Sequence, residues 1–311
     1  MASIQSYVVK AVMWANSIYN PVKNRPIDIK KARIDFDKIG LRLAPLPHTR
    51  ITRTNANGIL CEWTTPSNHF DYQKDNQNNI NKDIKEIGVF IHGGGYVMGS
   101  FDTYRGLVSR IAHQTGMHVL TFEYGLAPER PFPHGLNDTL NVYEWLLTTY
   151  QNAKIYIIGD SAGAGLGLSL LQYLKEEKIK MPQKCVWIAP WADLEMKNPS
   201  IEANKQIDHI LAKSRMQLAA KGYAGDFPLN HLFISPINAD FEGFPPTLIQ
   251  IGTNDILLDD SRILAEKMKK ANVEVTLKIW ENVPHVWHII GDFLPESTKA
   301  IRQMAKFLKN N

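Results

Sequence analysis

Cysteine is scarce, with two in 311 residues, Cys61 and Cys185, far apart and in different apolar stretches. Two thiols so placed make no disulfide framework, and they suit a reducing, cytoplasmic setting in which both are buried and inert. An excess of either sign of charge is nearly absent too: 35 basic against 31 acidic residues leave +4. No basic stripe with interleaved aromatics occurs, which argues against a nucleic-acid partner. There is no apolar run long enough to span a bilayer. The first twenty residues carry Val8, Val9, Val12 and Trp14, but Lys10 interrupts them and no small-residue cleavage site follows. Ile4, Val8, Ala11, Ala15 and Ile18 fall at helical spacing, so this segment reads as an amphipathic helix and not a signal peptide. Asp, His and Cys spacings match no zinc pattern and no nucleotide loop is present, so neither metal nor cofactor is expected.

What is there is mostly alternation. Residues 1–45 read as helical, with Ile27 to Leu43 as the second helix. Ile51 to Thr54 and the period-two run Ile59, Cys61, Trp63 flank the turn Asn55-Ala-Asn-Gly58 and read as a hairpin. Asn68 to Asp83, rich in Asn, Gln, Asp and Lys, reads as a surface loop. From residue 86 short apolar strands (87–91, 119–124, 155–158, 185–189, 247–251, 275–280) alternate with helices (103–114, 136–150, 163–177, 260–270, 297–309). Continuous apolar strands between helices predict a mostly parallel sheet covered on both faces, an α/β fold. Between Asp193 and Leu232 the alternation lapses into one or two helices. An insertion there lies over the strand ends, where ligands bind.

Four loops after strands carry the chemistry. Gly159-Asp-Ser-Ala-Gly163 is a G-x-S-x-G turn directly between a strand and the helix behind it, the setting in which a central serine is held out on a strained turn as a nucleophile. A small-residue turn packing helix on sheet is the plain alternative. His92-Gly93-Gly94-Gly95 closes the strand 87–91. Three successive glycines discard chain entropy, which a protein accepts where backbone N–H groups must approach a ligand closely. Gly94, Gly95 and Ala162 are thereby the candidate donors for an oxyanion, and His92 is a residue that fixes the loop. Asp255 is the first carboxylate past the strand 247–251, whereas Asp259 and Asp260 suit a helix cap. His285 stands in the loop after 275–280, with His288 as competitor, and completes the chain order serine, acid, histidine. Met98, Val286 and Trp287 are candidates for an apolar substrate pocket or for plain core packing. In such a set His285 takes the Ser161 proton during attack on an acyl carbonyl, and activity falls in acid near the ordinary histidine pKa of about 6.5.

These motifs give the chain a resemblance to the hormone-sensitive-lipase family of α/β-hydrolases. His92 to Gly95 and Gly159 to Gly163 match its HGGG and GDSAG signatures in order. Tyr124-Gly-Leu-Ala-Pro-Glu-Arg-Pro-Phe-Pro133 is similar to the family's YRLAPEHPFP. Pro190-Trp-Ala-Asp-Leu194, Asp255-Ile-Leu-Leu-Asp259 and Pro284-His-Val-Trp287 follow suit. The resemblance covers about residues 45 to 311. It implies a catalytic domain at 46–311 and a helical cap formed by residues 1–45 with an insertion at about 195–230. It also implies a serine carboxylesterase acting on short- to medium-chain acyl esters, with a homodimer through the last strand region as the corresponding assembly. A lactonase or amidase would use the same machinery. A non-catalytic small-molecule receptor on this fold would be expected to have lost a triad member, and here none is missing. Two residues depart from the pattern: Ala164 stands at a family glycine, and Gly125 at the arginine of YRLAPE, removing an ion-pair donor there.

Overall fold

The computed structural model describes residues 2–19, 28–41, 43–66 and 84–310. The surface loop expected at 68–83 lies outside them. Two helices come first, α1 (Ile4–Tyr19) and α2 (Ile29–Leu41). The hairpin follows as β1 (Arg50–Ala56) and β2 (Ile59–Thr65). It pairs Ala56 with Ile59 across the two-residue turn Asn57-Gly58. Both turn residues have positive φ, 49° and 92°, as the primed turns that match strand twist require. The Asn55 carboxamide oxygen accepts the Gly58 N–H at 2.8 Å.

The alternating part is β3 (Glu86–Ile91), α3 (Phe101–Thr115), β4 (His118–Phe122), α4 (His134–Thr149), β5 (Lys154–Asp160), α5 (Ala162–Glu176) and β6 (Lys184–Ile188). Two helices, α6 (Ser200–Ala203) and α7 (Lys213–Ala224), occupy the strandless stretch. The chain closes with β7 (Thr247–Gly252), α8 (Leu258–Lys270), β8 (Val275–Trp280) and α9 (Pro295–Lys309). Among the described residues the sheet has eight strands, in the order β1-β2-β4-β3-β5-β6-β7-β8. β2 pairs antiparallel with β1 and β4, and every pair from β4 to β8 is parallel.

The strand side chains divide by period two between two cores. Val89, Ile91, Ile155, Ile157, Cys185, Trp187 and Ile249 face a cluster filled by α4, α5 and α8. Phe90, Tyr156, Ile158, Val186, Ile188 and Leu248 face the opposite one, filled by α3 and α9. That both faces are buried explains the uninterrupted apolar strands. Cys61 and Cys185 are free and buried, and burial pushes the Cys61 thiol up to about 12. Among the described residues no helix is long and apolar enough to cross a membrane.

The N-terminal helix turns a different face inward from the one its spacing suggested. Ile4 and Val8 are exposed, whereas Ser6 and Val9 are buried. Polar bonds set this rotation: Ser3 donates from N and Oγ to Glu296 at 2.7 and 2.8 Å, and Asn282 Nδ2 donates to Ser6 Oγ at 3.2 Å. Two paired polar anchors outweigh an apolar stripe whose Ile4 and Val8 stay exposed.

Candidate active site

β5 ends at Asp160 and α5 begins at Ala162, so Ser161 alone makes the turn between them. Its φ of 51° is unusual for a residue with a side chain and is the strained backbone that a nucleophile elbow calls for. The turn is pinned on both sides: Ser161 N–H donates to Ile188 O at 2.8 Å, and Ser161 O accepts from Trp191 N–H at 3.1 Å.

Two further strand ends bring the partners. The loop after β8 carries His285, whose Nε2 lies 2.9 Å from Ser161 Oγ. The loop after β7 carries Asp255, whose Oδ2 lies 2.7 Å from His285 Nδ1. The second Asp255 oxygen accepts the Leu257 N–H at 2.9 Å. A carboxylate at Nδ1 keeps the proton there and leaves the Nε2 lone pair to receive the Ser161 hydroxyl proton. All three side chains are buried, Ser161 and His285 with slivers of 6% and 8% exposed. Burial pulls the His285 imidazolium down, but the carboxylates of Asp255, Asp208 and Asp160 outweigh it and hold its pKa above the ordinary value. This direction places the expected acid limb above the unperturbed histidine value.

The competing histidines are spent elsewhere. His288 is fully buried with Nε2 2.9 Å from Gln250 Oε1, and burial lowers its pKa to about 3. His92 donates from Nδ1 to Gly93 O at 2.8 Å and lies stacked on Tyr124 at 4.3 Å between centroids. Burial brings it down to about 4, so it is a neutral loop-fixing ring at neutral pH.

The glycine loop is built around close approach. A Cβ on Gly93 would stand 2.3 Å from Asp160 Oδ2, and one on Gly94, at φ 107°, 2.1 Å from Met98 O. Asp160 Oδ1 accepts the Gly93 N–H at 2.8 Å and its Oδ2 the Tyr104 hydroxyl at 2.9 Å. Tyr124 Oη donates to His92 O at 2.8 Å. Burial pushes Asp160 up to about 7 against the pull of these two donors and of His285. The residue between glycine and serine in the elbow thus braces the loop that follows β3, a role with no local pattern to announce it. Ala162 starts α5, where amides have no intrahelical acceptor. No described residue accepts from the amides of Gly94, Gly95 or Ala162.

Of the apolar pocket candidates, Trp287 is fully buried in a cluster with Val283, Leu294 and Ala300, and packs at 5.8 Å on Trp280. Val286, at φ 46°, joins the core on the α3 and α9 face. Met98 packs against Gly94. Asp259 and Asp260 do not cap α8: Leu257 stands at its N-cap without a side-chain bond. They reach across to the strandless stretch instead. Asp260 Oδ2 accepts from Ala192 N and Asp193 N at 3.0 and 2.9 Å, and Asp259 Oδ2 from Ser200 N at 2.8 Å. Long-range amide donors outbid the helix's own first turn.

A family model for the α/β-hydrolase fold matches residues 88–289. The chain is similar to an acetyl-hydrolase of Streptomyces hygroscopicus, 35% identical over 222 residues, 71% of this chain and 74% of that one. It is also 35% identical over 219 residues to an esterase of Acinetobacter venetianus, covering 70% and 72% of the two chains. The solved structure of an esterase from the bacterial hormone-sensitive lipase family superposes with a TM-score of 0.88 at 31% identity, over 99% of this chain and 98% of that one. The chain belongs to the hormone-sensitive-lipase family of α/β-hydrolases. Within that family's YRLAPE pattern, the structure accounts for Gly125. A Cβ there would stand 3.0 Å from the Arg130 side chain. Arg130, five residues on, donates to Asp138 at 3.1 and 3.0 Å, and the Gly125 N–H takes Asp138 Oδ2 at 2.8 Å. The expected loss of an ion-pair donor is therefore made good by a neighbour that the glycine leaves room for.

Proposed function

We propose that this chain hydrolyses short- to medium-chain carboxylic esters through an acyl-enzyme on Ser161, with His285 as base and acid and Asp255 as its orienting carboxylate. The continuous hydrogen-bonded line from Asp255 through His285 to Ser161 carries the reading. The chain is a carboxylic ester hydrolase. Ser161 Oγ attacks the acyl carbon as its proton passes to His285 Nε2. The carbonyl electron pair moves to oxygen, and that oxyanion is received by the amides of Gly94, Gly95 and Ala162. Collapse expels the alcohol, which takes the proton from Nε2. Water then repeats the sequence on the acyl-enzyme and releases the acid.

The cap consists of residues 1–45 and the stretch of about 195–230. In support, Tyr223 of α7 stacks on Tyr96 at 3.8 Å, beside the glycine loop. Ala219 and Trp191 come within 3.7 and 3.9 Å of the space above Gly95. Walls this close to the donors favour small acyl groups. The acetyl-hydrolase and esterase names of the relatives point the same way.

The test is a p-nitrophenyl ester series from acetate to decanoate on the purified chain, with Ser161→Ala alongside. Turnover highest from acetate to hexanoate and abolished in the folded variant is expected. Equal turnover in Ser161→Ala removes Ser161 as nucleophile. A chain inert toward esters but active on lactones or anilides moves the substrate class while keeping the machinery.

A further inference from the structure

We infer that Asp208, with Asn204 beside it, is a positioning residue for this reaction: the stretch between β6 and β7 grips the Asp255 peptide group from both sides and sets a second carboxylate facing the His285–Asp255 pair. The inference rests on the esterase reading above and names two residues that act through the acid.

Both lie in the loop between α6 and α7. Asn204 Nδ2 donates to Asp255 O at 2.7 Å and to Thr253 O at 3.1 Å. Asp208 Oδ2 accepts the Ile256 N–H at 3.0 Å. The carbonyl and the N–H of the single peptide linking Asp255 to Ile256 are therefore both held by side chains some fifty residues earlier in the chain. The other Asp208 oxygen accepts from Ile210 N and Leu211 N at 2.9 and 2.8 Å, which fixes the carboxylate in its own loop. Asp208 is 3% exposed. A carboxylate taken out of water without a cation costs free energy unless amides receive it, and three do.

The backbone hold matters because, among the described residues, the Asp255 side chain bonds to Leu257 N–H and to His285 alone. Its aim is set by the peptide that carries it. Misplacement of a group in such a line by about 1 Å costs on the order of 10²-fold in rate. The charge matters as well. The acidic groups facing His285 are Asp255 from the loop after β7, Asp208 from the α6–α7 loop and Asp160 from the end of β5, and each favours the imidazolium that forms during attack. Burial, then the nearness of Asp255, raises Asp208 itself to about 6.

The experiment compares Asp208→Asn and Asn204→Ala with the wild-type chain on p-nitrophenyl butyrate across pH 5 to 9, with active sites counted by a fluorophosphonate titrant. Both residues bond the backbone around Asp255, so kcat per titrated site should fall about tenfold or more in each while KM holds. Only Asp208→Asn removes a charge, so only there should the acid limb of kcat/KM move, downward by about half a pH unit. Wild-type kcat per site in both variants, or an unmoved acid limb in Asp208→Asn, overturns the inference. Loss confined to thermal stability does so too. Should Asp208→Asn fail to fold, Asn204→Ala decides: full kcat there refutes the grip. An inactive wild-type chain strikes at the esterase reading instead, which separates the two failures.

Discussion

Replacing Asp255 by asparagine is the most exacting test of the site, because its structure dictates which way the new amide must point. Oδ1 of Asp255 accepts the Leu257 N–H at 2.9 Å in a fully buried position. An NH₂ group there would face another donor and leave both unpaired, at about 1–3 kcal/mol each. The asparagine oxygen therefore keeps Leu257 and its NH₂ turns to His285 Nδ1. A donor at Nδ1 demands a lone pair on that nitrogen, so the ring proton moves to Nε2. Nε2–H then points at Ser161 Oγ across 2.9 Å and can no longer take the hydroxyl proton. The wrong tautomer in a serine triad costs roughly 10⁴ in kcat, which at 1.36 kcal/mol per decade is about 5 kcal/mol of transition-state stabilisation. The isosteric change should leave the far-UV circular dichroism and the melting temperature nearly intact. The assay is steady-state hydrolysis of p-nitrophenyl butyrate, with acyl-enzyme burst amplitude as a second readout. Activity within tenfold of wild type in a folded Asp255→Asn chain would refute the tautomer argument and the role of Asp255 with it.

The acid limb of kcat/KM should lie above the ordinary histidine pKa of about 6.5, because three carboxylates hold His285 above it and the neutral base is lost as pH falls through that raised value; a flat profile between about pH 5 and 8 contradicts a histidine base. Gly94→Ala sets a Cβ 2.1 Å from Met98 O at a φ of 107°, so the loop must shift its amides, and kcat/KM should fall about 10²–10³-fold with KM little changed; a full-rate Gly94→Ala chain would show that this amide is not a donor to the transition state.

The parts of the molecule legible in the sequence are those whose information is local. Ser161, Asp255 and His285 each follow a strand by a few residues, so apolar runs located the loops and chain order picked out the three side chains that the fold brings into one hydrogen-bonded line. The Asn57-Gly58 turn likewise announced its hairpin. The parts that escaped are long-range polar bonds. Asp160 serves Gly93 across 67 residues of chain, and Asp208 serves Ile256 across 48. Neither bond leaves any periodicity. Asp259 and Asp260 stood where a cap belongs, and only the folded chain brings Ala192, Asp193 and Ser200 to compete for them. The apolar spacing of α1 misled for the same reason, since its rotation is set by Glu296 and Asn282 at the far end of the chain.

The Asp160 carboxylate joins two things that a reaction needs to keep in register. It precedes the serine by one residue, and it holds the first amide of the glycine loop proposed to receive the oxyanion. A shift of the elbow that moved the Ser161 oxygen would, through this bond, pull on the glycine loop as well. The spacing between the hydroxyl and the proposed amide donors is thereby tied to a single corner of the fold, one residue from each.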